Sequence, residues 1–69
     1  MKRSQVIDRL KRQARAAGLP FERTELTRHT AIKIGTSAHT ISRHHEVDET
    51  TAHKFWDQFC DVFEKGWWR

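Results

Sequence analysis

A histidine in a turn, His29, follows Arg28 and precedes Thr30, and a second basic cluster, Arg43-His44-His45, ends the next alternating segment. Histidine is the side chain whose ordinary pKa, about 6.5, lies nearest neutrality. An exposed imidazole beside a guanidinium can therefore hold a phosphate and also move a proton, the two abilities that cleavage of an RNA backbone requires. His29 is accordingly the candidate general base or acid, a role that contributes about 10²- to 10⁴-fold in rate. The plainer alternative is a polar turn residue with no role. Adjacent residues on an extended chain face opposite sides, so only one of His44 and His45 can share a face with a neighbouring site. His44 is read as an RNA contact or an assistant to His29, against the alternative of a solvated strand end.

The remaining chemistry-bearing residues read differently. His39 and His44 have four residues between them, which falls in the zinc-module range. Yet there is no cysteine pair, and the odd spacing puts them on opposite faces of a strand, so no metal is expected. His39 is expected at the core edge beside Ile41, and His53 on the solvated side of a helix. Cys60 is expected as a small core residue. As the lone cysteine, it excludes an internal disulfide and fits a reducing cytosol. Phosphate-cradling glycine loops, nucleophile elbows and carboxylate pairs suited to a metal-dependent nuclease are missing, so no cofactor is expected. No apolar run reaches the ~18 residues needed to cross a membrane. The basic N-terminus is followed by no apolar stretch, so no signal peptide is expected, and the chain is expected in the cytoplasm.

Charge adds a partner. The chain holds 13 Lys+Arg against 9 Asp+Glu, a net +4. Residues 1–20 carry Lys2, Arg3, Arg9, Lys11, Arg12 and Arg15 against Asp8 alone, whereas residues 48–69 are net acidic. A basic first third suits a polyanion, with nucleic acid the leading candidate. The bland alternative is that these charges only solvate a helix. With 69 residues, the chain is one domain, 1–69. A domain of that size buries only about 60% of its unfolded surface, so function must lie on the surface or in a shallow groove.

The elements that must position these residues are legible. Val6, Ile7, Leu10, Ala14 and Ala17 recur at helical spacing, with Ser4 as the expected cap. Gly18 can take the left-handed turn that ends the helix, and Pro20 prevents continuation. Phe21–Leu26 reads as a strand, Thr27-Arg28 as a turn, and His29–Ile34 as a half-buried strand. Gly35-Thr36-Ser37 reads as a turn and Ala38–Arg43 as a third strand. Asp48 is a good cap for a second helix, where Val47 can staple onto Ala52. Ala52, Phe55, Trp56, Phe59, Val62 and Phe63 form its apolar stripe, running to Gly66. Trp67 and Trp68 follow and are expected to be partly buried. The fold class is α+β: a two-layer α-β-β-β-α arrangement, with a three-stranded antiparallel sheet and both helices on one face.

At this point the pattern resembles the HicA family, the small toxins of HicA–HicB toxin–antitoxin modules. The run Ser42-Arg43-His44-His45-Glu46-Val47-Asp48-Glu49-Thr50-Thr51-Ala52 is similar to that family's P-R-H-R-E-I-N-E-x-T-A segment. Arg28-His29-Thr30 resembles its G-x-H element. The family's glycine is replaced here by Leu26-Thr27-Arg28, and its proline by Ser42. The resemblance spans Arg3 to about Phe63 and implies a double-stranded-RNA-binding-domain-like fold. It implies a metal-independent endoribonuclease that cleaves mRNA, with His29 catalytic, and a HicB-like antitoxin that covers the histidine. The expected arrangement docks RNA backbone in a sheet-side groove near Arg28. Lys33 and Arg43 serve as further phosphate contacts, His44 stands near the site, and helix one adds a basic flank. Phosphate contacts position a strand without reading its sequence. The rival is a non-catalytic RNA-binding module of the same fold; a third reading is an interaction protein docking through Trp67 and Trp68.

Overall fold

The computed structural model describes residues 1–69 as helix α1 (Arg3–Ala16), strands β1 (Phe21–Glu25), β2 (His29–Ile34) and β3 (Ser37–Ser42), and helix α2 (Glu49–Asp57). Both strand pairings are antiparallel and β2 is central. Thus the expected α-β-β-β-α order is the observed one.

α1 starts two residues earlier than its sequence suggests. Lys2, not Ser4, is the cap residue, and Gln5 Oε1 accepts from the Lys2 backbone N–H. The shift has a tertiary cause. The chain ahead of α1 pairs with the segment leading into α2: the Arg3 N–H donates to the His45 carbonyl and the Val47 N–H to the Met1 carbonyl. At the other end Gly18 takes φ +70. The Leu19 N–H reaches the Ala14 carbonyl and the Gly18 N–H the Arg15 carbonyl, which is the Schellman closure that a glycine permits.

Strand parity sets the two layers. Thr30, Ile32 and Ile34 of β2 are buried, as are Ser37 and Ile41 of β3. Ile32, Ile34 and Ile41 meet Val6, Ile7, Leu10 and Ala14 of α1 and Ala52, Phe55 and Trp56 of α2 in one core cluster. Both helices therefore cover one sheet face. The other face shows Glu22, Thr24, His29, Lys33, Ala38 and Thr40 to solvent.

α2 is shorter than its apolar stripe predicts, ending at Asp57. Beyond it the hydrogen bonds tighten to a three-residue reach, Phe59 to Trp56, Cys60 to Asp57 and Val62 to Phe59. That tightening keeps Phe59 and Phe63 in the core but turns Cys60 outward, so the expected core role of Cys60 is corrected. His53 is also corrected: it is half-buried and stacks on Trp68 at 4.1 Å between ring centroids. His39 sits at the core edge as expected, edge-on to Phe59 at 4.8 Å. Trp67 and Trp68 are partly buried, their indole N–H groups donating to the Trp56 carbonyl and to Asp57 Oδ1.

Candidate functional site

The hairpin joining β1 to β2 closes on two residues, Thr27 and Arg28, with the Leu26 N–H bonded to the His29 carbonyl at 2.8 Å. No residue in it has positive φ. The turn therefore needs no glycine, and the substitution of Leu26-Thr27-Arg28 for a glycine-bearing element leaves its closure intact. His29 opens β2 on the sheet face that no helix covers. It is exposed and pairs in register with Ser42, and its ring takes part in no hydrogen bond.

The expected phosphate contacts divide among three places. Arg28 is exposed at the turn tip, and its carbonyl accepts from the Arg43 N–H. Lys33 shares the open face with His29 but lies four residues along the strand, roughly 13 Å away at the usual strand rise. A group held at His29 is therefore beyond its reach. Glu22 stands opposite it in register, and Lys33 lines a small hollow with Pro20, Glu22 and Gly35 at the far end of the sheet. His44 is exposed beyond the end of β3.

Arg43 turns the other way. Its Nε lies 3.3 Å from Glu25 Oε2 and its Nη1 donates to the Leu26 carbonyl. Glu25 belongs to the helix-side face, because its Oε2 accepts from the buried Thr30 hydroxyl. Two more arginines come to the same carboxylate: Arg23 Nε at 2.7 Å and Arg3 Nη1 at 3.9 Å. The hydrogen bond from Arg23 is the main cause that holds the Glu25 carboxyl below its ordinary value. Thr30 and the charges of Arg23 and Arg3 act in the same direction. The one signal of this cluster along the chain is strand parity, which places Arg23 and Glu25 on the same side as Ile32 and Thr30.

Two parts of the expected docking geometry are corrected. The open sheet face holds no groove at His29; the larger depressions lie on α1 and between β3 and α2. The cause is the short side chains of the outward residues Ala31, Ala38 and Thr40. The basic residues of α1 are also not a flank to His29. Arg9, Lys11, Arg12 and Arg15 line the outer side of the helix layer, and that layer packs on the opposite sheet face. Arg9 is further occupied, donating to the Trp68 carbonyl and lying over the Trp56 ring.

Comparison with family models, curated proteins and solved structures finds no match for this chain. No helix is long and apolar enough to cross a membrane.

Proposed function

We propose that this chain is a small metal-independent endoribonuclease of the HicA type, acting on mRNA in the cytoplasm and held in check by a HicB-like antitoxin. The observation that carries the reading is His29: an exposed imidazole that no other side chain engages, at the start of the central strand, directly after Arg28. The uncovered sheet face around it supports docking of an extended strand. His29 takes the proton from a ribose 2′-hydroxyl as that oxygen bonds to phosphorus. The phosphorus bond to the 5′-oxygen breaks, and the imidazolium returns a proton to the leaving oxygen. Arg28 stabilises charge on the phosphoryl oxygens, while Lys33 and His44 contact neighbouring parts of the strand.

One observation favours the rival, an RNA-binding module without catalysis. No side chain hydrogen-bonds to the exposed His29 ring, so nothing fixes its tautomer, as an efficient general base requires. With one unoriented base, turnover is slow.

A single assay decides. Purified protein is incubated with end-labelled RNA in EDTA, beside His29→Ala and an all-DNA strand of the same sequence. Products from the wild type only, and none from DNA, are expected, because the chemistry uses the 2′-hydroxyl. Wild-type cleavage rates in a folded His29→Ala protein remove His29 from the mechanism. RNA retention without products selects the rival.

A further inference from the structure

Three guanidinium groups from separate elements converge on one carboxylate beside the β1–β2 turn. Arg3 comes from the first turn of α1, Arg23 from β1 and Arg43 from the residue after β3, with Glu25 between them at 3.9, 2.7 and 3.3 Å. Glu25 is their only ion-pair partner, so two positive charges stay unmatched. Exposed ion pairs of this kind contribute little to stability, and folding alone gives no reason to gather three like charges. Guanidinium forks match the oxygens of a phosphate as well as those of a carboxylate. The cluster is also reachable: the side chains of Arg23, Arg43 and Glu25 keep 43%, 46% and 39% of their surface exposed. Thr30 completes the arrangement, accepting from Arg3 Nη1 and donating to Glu25 Oε2.

We propose that Arg3, Arg23 and Arg43 form a binding site for a backbone phosphate of RNA, with Glu25 as its resident counter-ion. Glu25 holds the forks in place and occupies donors that an incoming phosphodiester takes over. The site lies at the same end of the sheet as His29 but on the other face. Arg28 stands between the two, its carbonyl bonded to the Arg43 N–H and its neighbour being His29. An RNA strand that folds over this end is gripped on the helix side by the arginines and presented to His29 on the open side. The inference rests on the reading of the chain as an RNA-acting protein, but not on its being catalytic.

The test measures binding of a short 2′-O-methylated RNA, which cannot be cleaved through its 2′-oxygen, as a function of salt. Wild type, Glu25→Gln and Arg23→Gln are compared. Each phosphate contact to single-stranded nucleic acid adds about 0.7 to the slope of log K against log salt. Glu25→Gln keeps an acceptor for the arginines but removes the competing charge. It is expected to tighten binding several-fold at low salt and to steepen the slope by about 0.7. Arg23→Gln, which leaves the buried residues untouched, is expected to flatten the slope by a similar amount. Binding by the wild type with slopes unmoved in both variants overturns the phosphate site while leaving the RNA reading intact. No binding by the wild type overturns both. Cleavage-independent slope shifts of the stated signs support the site even where a cleavable RNA is left whole.

Discussion

Glu25 and His29 sit four residues apart yet on opposite faces of the sheet, and the difference decides what each can do. His29 is left without partners, free to meet a substrate. Glu25 is the most contested side chain in the protein, and its carboxyl is held low first by the Arg23 hydrogen bond. A carboxyl held low in the fold stabilises above its unfolded value, and the contribution is lost as pH falls through the folded value. The thermal midpoint is therefore expected to fall as pH drops below about 4.5, the ordinary value for this group. In Glu25→Gln that acid limb is expected to be shallower, with Asp48, also held low by Thr51, supplying what remains. Identical acid limbs in the two proteins would show that the arginines do not stabilise the ionised form. The exposed place of His29 at the start of β2 is legible because the turn before it is a local signal. That of Glu25 is not, because the partners come from 22 residues upstream and 18 downstream in the chain, and only the assembled sheet brings Arg3 and Arg43 to it.

Strands and helices were readable where their periods are clean, and misread where tertiary contacts override them. β2 alternates buried and exposed along its length, and its bounds follow from the sequence. The start of α1 does not, because backbone pairing with His45 and Val47 fixes it rather than a capping side chain. The end of α2 does not, because beyond Asp57 the backbone closes three-residue turns that keep Phe59 against both Phe55 and His39. The α2 start is a local signal and was legible: Asp48 Oδ2 accepts from the Thr51 N–H, and Asp48 Oδ1 from the Thr51 hydroxyl. Asp48→Ala is expected to lower the thermal midpoint and to speed hydrogen exchange at the Thr51 amide, since an uncapped N–H returns to solvent. An unchanged exchange rate at Thr51 would show that the cap does not protect the first turn. The affinity for RNA should stay as it was, because Asp48 takes no part in the arginine cluster or the open face.

Two layers divide the labour of the molecule. The open face and the turn end carry the exposed residues of the proposed site, while the two helices and the covered sheet face share one apolar core. A domain of this length is worth only about 3–10 kcal/mol, so every closure of the core counts. The last three residues supply one. Trp67 packs against Trp56 and Phe63, and Trp68 against His53 and Trp56. The Trp68 carbonyl accepts from Arg9 at 2.6 Å, tying the chain end back to α1. Removing Trp67–Arg69 would expose Trp56, now 2% accessible, and strand the Arg9 guanidinium. The loss expected from uncovering aromatic surface and one charged hydrogen bond is about 2–4 kcal/mol. In a domain this small each kcal/mol moves the midpoint by about 4–8 °C, so the truncated protein should melt at least 8 °C lower. His29 lies on the far side of the sheet from this closure. RNA cleavage by the truncated protein, measured well below its midpoint, should match the full chain. A midpoint that does not move would mean the tail lies on the core without sealing it. A cleavage rate that collapses while the fold persists would mean that the tail, and not only the turn end, meets the RNA.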